Sequence, residues 1–207
     1  MAQLSREEIL DVAVDLLDHG AQALTMRSLA DRLGVSTAAF YYWFPSKAQL
    51  LEAIAEHVTF RIVATEPRSA SWQERLRALA LAIVDAGQHH PVTFNWVFTN
   101  YGGQPPLAQI DEAMLNVLIE AGFAPKEALL GTSAVLRLVV GHLGLSRIGS
   151  RMDLALINPE SYPRVHQVSA ENLTLENSDF IEYGLDRLIE GMGQGERRMR
   201  RRVGAAK

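Results

Sequence analysis

Apolar residues recur three and four positions apart through most of the chain, the period of a helix with one buried face. No pair of alternating runs around a tight turn points to a hairpin. The pattern predicts a first helix over 6–20 and a second from Thr25, with Leu29, Ala30 and Leu33 on one face. A third spans 36–44, where Phe40 and Phe44 stand four apart. A fourth opens at Lys47 and carries Leu50, Leu51, Ile54, Ala55, Val58 and Ile62 inward. Glu66 and Pro67 break the period, and Ser71 is placed to cap a helix over 72–89 that buries Leu76, Leu79, Ala80, Ile83 and Val84. Pro91 starts a short aromatic helix, residues 102–106 form a loop, and helices follow over 107–121 and 124–149. Residues 150–178 are polar and aperiodic, so they read as a long loop before a last helix over 179–192. No internal repeat occurs, and the fold class is all-α.

The stretch from Thr25 to Lys47 carries the most chemistry. The Thr25 hydroxyl can accept a first-turn N–H that the helix leaves unsatisfied, and Gly34 suits the left-handed residue that stops the same helix. Val35 fills the corner, Ser36 is a second capping candidate, and Pro45 drives Phe44 out of helical dihedrals. Ser46 then caps a new start with Lys47 in its first turn. A two-turn helix is unstable alone, because nucleation costs more than so few hydrogen bonds return. Phe40 and Phe44 must anchor it, which leaves Thr37, Ala38, Tyr41, Tyr42 and Trp43 facing outward. Small residues at its N-terminal end admit close approach to base edges in a major groove. The helix's positive end, tyrosine hydroxyls and a lysine ammonium suit phosphates. An ordinary packed hairpin would ask this short helix to bury more aromatic surface than one face holds.

These residues resemble the DNA-binding head of TetR-family transcriptional regulators. The likeness begins in the lead-in helix from Arg6 to Gly20, runs through 23–35 and the Phe-Tyr-Tyr-Trp-Phe-Pro-Ser-Lys run at 40–47, and ends at Leu50 and Leu51. It implies that Tyr41 and Lys47 contact phosphate, and that Arg27, Ser36, Thr37 and Ala38 lie against DNA, with Thr25, Tyr42 and Trp43 beside them. This chain departs from the family at Ala38 and Ala39, where glycine or threonine is frequent. Fewer hydroxyls there mean fewer direct base contacts.

Charge and composition narrow the picture. The net charge is −4, and residues 1–62 hold five Lys and Arg against eight Asp and Glu, so even the head is acidic in sum. Within 25–47, however, Arg27, Arg32 and Lys47 face only Asp31, while the acids gather at positions 7, 8, 11, 15 and 18. Distribution matters more than the total. A weak overall charge implies low nonspecific affinity and dependence on a dimer. The absence of cysteine excludes disulfides, thiolate metal sites and a cysteine nucleophile. With no basic-then-apolar leader and no continuous apolar run of bilayer length, a cytoplasmic location is expected.

Three segments are expected: a DNA-binding domain over 1–50, an effector-binding and dimerisation domain over 51–195, and a basic, disordered tail over 196–207. The helix over 127–147 is apolar on more than one face and calls for partners on two sides. With the helix over 179–192 it resembles the family's four-helix dimer interface, and two heads on a two-fold axis would read a pseudopalindromic operator. The resemblance also implies a small-molecule pocket among the helices between 50 and 150. Aromatic walls with scattered polar groups point to Phe60, His89, Phe94, Trp96, Phe98, Tyr101, Met114, Arg137 and His142. His142 draws notice because a buried imidazole needs a partner. No cofactor or metal is called for. Asp85 and His89, four apart, could serve a general base, but no hydrolase or phosphate-loop motif accompanies them, and an enzyme is not expected. A DNA-binding protein without an effector is the alternative, and it would pack its C-terminal half solid.

Overall fold

Ser5 opens the first helix with a reciprocal cap. Its hydroxyl accepts from the Glu8 N–H at 3.1 Å while the Glu8 carboxylate accepts from the Ser5 N–H at 2.8 Å, and α1 runs Arg6–Asp18. This computed structural model describes residues 5–102, 104–148, 158–170 and 176–204, and every regular element among them is a helix. After α2 (Met26–Leu33) and α3 (Thr37–Trp43) come α4 (Lys47–Ala64), α5 (Trp72–His89), α6 (Pro91–Asn100) and α7 (Pro105–Glu120). Then follow α8 (Pro125–Ile148), α9 (Pro163–Ala170) and α10 (Asn177–Gly204). Ser46 and Ser71 cap α4 and α5 as the sequence predicts, accepting from the N–H groups of Gln49 and Glu74.

Residues 1–132 and 133–207 form two compact units. In the first, α1 packs on α2, α4 and α6, and α4 packs on α5 and α7. Ile9, Leu17, Leu29, Phe40, Leu50 and Ile54 are fully buried, as are Leu76, Leu79, Ile83, Ile110 and Met114. The apolar faces deduced from the 3.6-residue period are therefore the faces that meet. Arg75, 14% exposed, ties α5 to the preceding loop and to α7: its guanidinium donates to Glu66 and to Glu120, both at 2.7 Å. In the second unit Val135, Val139 and Leu143 of α8 and Ile181, Leu185 and Ile189 of α10 are buried, each set at four-residue spacing. Gly184 lets α10 come close to α8, because a Cβ there would stand 3.0 Å from the Leu138 side chain.

Three expectations change. The segment over 150–178 is not wholly irregular: α9 occupies 163–170, opening on Pro163, whose fixed φ suits a first helical position. The remaining residues of that segment fall partly outside the described ones. The last helix does not end at Met192 but continues through Gly204, so the backbone over 196–204 is helical rather than a disordered tail. Glu, Arg and Met are good helix formers, which suits a helical backbone there. Finally, Pro125–Ser146 of α8 is long and apolar enough to cross a membrane by length and composition, with a mean hydropathy of 1.6. It is not a continuous apolar run, because Lys126, Glu127, Arg137 and His142 interrupt it. A helix with two apolar faces meets the same test.

Candidate nucleic-acid interface

The turn between α2 and α3 is built by backbone geometry that glycine makes inexpensive. Gly34 sits at φ 66° and ψ 30°, and Val35 N–H reaches back to the Ala30 carbonyl at 3.1 Å, closing a Schellman motif. At the other end of α2, Thr25 and Ser28 exchange cap bonds of 2.9 Å, and the Ser28 hydroxyl also donates to the Ala23 carbonyl at 2.6 Å. Ser36 has capping dihedrals, but its hydroxyl makes no cap bond. The position of α3 depends instead on its anchors, Phe40 and Phe44, which are 1% and 2% exposed. The Arg6 guanidinium lies 5.6 Å from the Phe44 ring centroid and covers it. Phe44 leaves the helix at φ −135°, ψ 95°, as a residue before proline must.

With the two phenylalanines inward, Tyr41, Tyr42 and Trp43 are exposed by 52%, 86% and 38%, and Tyr42 meets the Trp43 ring edge-on at 6.1 Å. Thr37 is half-buried, while Ala38, Ser36, Thr25 and Lys47 are exposed. Arg27 pairs only loosely with Asp31, at 3.8 Å in open solvent. The predicted residues are thus exposed or half-buried along α2, α3 and the start of α4, a surface we call the ridge. It offers hydroxyls, an indole, a guanidinium and an ammonium, with small side chains between, which suits a phosphate-bordered groove.

The nine residues chosen for a small-molecule pocket do not gather in one place. Phe60 projects into solvent, 64% exposed, and Met114 is sealed in the core. Phe94 stacks on Phe98 with centroids 4.1 Å apart, and Trp96 meets Tyr101 edge-on at 5.5 Å. Arg137 and His142 belong to the second unit, where Arg137 donates to the Ser133 carbonyl at 3.0 Å. Burial pushes the His142 imidazole below its usual pKa, and its Nε2 has no hydrogen-bond partner among the described residues. His89 is the one of the nine that lines a groove of about 720 Å³ between α4 and α5. Asp85 and His89, there, lie 3.0 Å apart, both exposed.

Two clusters were not anticipated. The Asp18 carboxylate at the end of α1 accepts from the Thr93 N–H at 2.9 Å and pairs with His90 Nδ1 at 2.6 Å, while the Thr93 hydroxyl donates to the Val14 carbonyl at 3.3 Å. Nearer the start of α1, Asp11 holds His57 Nε2 at 2.9 Å and Arg61 at 2.8 Å. These bonds fasten α1 to α6 and to α4. Partners 72 and 50 residues apart leave no local signal beyond the acidity of α1 itself.

Comparison with known proteins matches the segment that holds these residues. Residues 9–54 match the model of the family described as bacterial regulatory proteins, tetR family. The tetracycline repressor protein class D of Escherichia coli is 31% identical over 146 residues, 68% of this chain and 66% of that protein. The chain thus aligns with just under two thirds of that relative's length. The class G repressor of Vibrio anguillarum is 27% identical over 205 residues, 92% of this chain and 94% of its own. Among solved structures, a TetR transcriptional regulator from Streptomyces coelicolor superposes with a TM-score of 0.76 at 26% identity, covering 91% of this chain and 97% of that one.

Proposed function

The chain belongs to the tetR family of bacterial regulatory proteins, and from that membership we propose that it is a transcriptional repressor released from DNA by a small molecule. It binds a pseudopalindromic operator as a homodimer. The observation that carries this reading is the exposed ridge: Tyr41, Tyr42, Trp43 and Lys47 stand in solvent because buried Phe40 and Phe44 hold α3 from the other side. Tyr41 and Lys47 hold phosphates, Thr37 and Ala38 approach base edges, and Arg27 exchanges its weak pair with Asp31 for the backbone of the operator.

Dimerisation is supported within the second unit. Val140 and Leu145 of α8 and Phe180 and Tyr183 of α10 are exposed apolar residues, and open space surrounds the positions where Gly141 and Gly144 would carry a Cβ. Such a face matches the self-complementary surface a two-fold dimer requires. The similarity to tetracycline repressors supports release by a ligand as the mode of control. Mobility shift with the intergenic DNA beside the gene tests the reading. Lys47→Ala and Tyr41→Phe should weaken binding across all sequences, whereas Thr37→Ala should change preference among operator variants. Wild-type affinity in both of the first two variants overturns the docking.

A further inference from the structure

The groove between α4 and α5 has the size of a small-molecule site, about 720 Å³, and two kinds of wall. Val14, Val58, Ile62, Leu81 and Ala82 give it an apolar floor. Around them stand Arg61 and the imidazoles of His57, His89 and His90, against a single lining acid, Asp85, which is already paired with His89. We infer that this groove binds a small amphiphilic organic carboxylate, its apolar body on the floor and its anionic end at Arg61 and His57. The inference rests on the proposed function, for which it names the effector's class and place.

Carboxylate chemistry follows from what these donors already hold. Arg61 and His57 share one oxygen of Asp11, at 2.8 and 2.9 Å, and His90 holds Asp18 at 2.6 Å. The bond to Asp11 engages one N–H of a guanidinium that has five, so the fork still has donors for a second carboxylate. Of the lining residues a cation would find only Asp85, since Asp11 and Asp18 are held by the donors, and a neutral ligand would leave the fork unused. The location also supplies a consequence. Asp11 belongs to α1, which packs against α2 in the DNA-binding head. A ligand anion held by the spare Arg61 donors must still take His57 Nε2 from Asp11, and so it loosens α1 from α4. Any preference of the ligand for the loosened state lowers DNA affinity by the same factor.

The test uses the full chain and two isosteric probes, 2-naphthoate and 2-naphthamide, followed through the imidazole proton resonances of His57, His89 and His90. The carboxylate should shift His57 saturably and bind about tenfold tighter than the amide. Arg61→Gln should bring it down to the level of the amide, Asp11→Asn should tighten it by relieving competition, and Leu81→Trp should abolish both by filling the floor. Equal affinity for the two probes, an unmoved His57 resonance, or indifference to Arg61→Gln and Leu81→Trp overturns the site. No DNA enters this experiment, so failure to bind an operator would overturn the proposed function and leave this result standing. Operator binding with silent imidazoles would overturn the groove alone.

Discussion

Asp18→Ala removes a helix cap that one element lends to another. Thr93 is the third residue of α6, so its N–H is one of the first-turn donors that a helix cannot satisfy by itself, and the residue before the helix provides no side-chain cap. Asp18 fills that place from α1, accepting from Thr93 at 2.9 Å, and its second oxygen holds His90 at 2.6 Å; the side chain is 17% exposed. Loss of a cap costs about 1 kcal/mol. Loss of a partly exposed bond to a charged group adds about 1 kcal/mol more. The sum, about 2 kcal/mol, corresponds in a chain of this size to a fall of roughly 4–8 °C in Tm. Asp18→Asn keeps an oxygen for the Thr93 N–H and loses only the charge, so it should cost about half as much. Thermal unfolding by circular dichroism at one fixed protein concentration checks both values, since subunit association makes Tm concentration-dependent. A Tm for Asp18→Ala within about 1 °C of wild type, or an Asn variant as damaged as the Ala variant, would refute the trans-cap.

Three further outcomes follow from other features of the fold. Gly34→Ala meets no neighbour within 4 Å, but its φ of 66° is left-handed, so the substitution should cost about 1–2 kcal/mol by denaturant midpoint through backbone strain alone. Arg75→Met leaves Glu66, whose side chain is 9% exposed, as a half-buried carboxylate without its cation, a loss of about 2 kcal/mol that Glu66→Gln in the same chain should largely restore. Burial holds the His142 imidazole below the ordinary histidine value of 6.5, so as pH falls through that value the unfolded chain takes up the proton before the folded one. Stability should therefore decline toward acid below about pH 6.5. His142→Gln should flatten that part of a Tm-against-pH profile, and an unchanged slope would refute the assignment.

How much of this could be read from the sequence depends on the range of each interaction. The caps at Thr25, Ser46 and Ser71 and the stop at Gly34 are local, since partner and cap lie within a few residues, and the structure contains all four. The inward faces of α3 and α5 follow from the helical period and are equally legible. Ser36 is the exception: its type and dihedrals suit a cap, yet Phe40 and Phe44 already hold α3 without the bond. Binding residues chosen as scattered aromatics fared differently. Phe94 with Phe98 and Trp96 with Tyr101 satisfy one another, which composition cannot distinguish from aromatics waiting for a ligand. Pairings such as Arg75 with Glu120, 45 residues apart, depend on how whole helices pack and have no signature in any window of sequence.

The acidity of the head, which in sequence runs against DNA binding, has a structural use that resolves the conflict. Of the acids on α1, Glu8 closes the cap with Ser5, and accepting those bonds from Ser5 holds its carboxyl below the usual pKa. Asp11 and Asp18 are committed to Arg61 and His57 and to His90 and Thr93. An acid bound to a cation or donor presents a dipole rather than a bare charge, and its field at a phosphate several ångströms away falls accordingly. On the ridge the arrangement is reversed. Lys47 is exposed, and the Arg27–Asp31 pair, at 3.8 Å in open solvent, is worth well under about 1 kcal/mol. That pair yields readily to a phosphate, whereas Asp11 and Asp18 are each held by two donors. Asp11 and Asp18 therefore fasten α1 to α4 and α6, and on the proposed reading the positive charge offered to an operator is the part left loosely held.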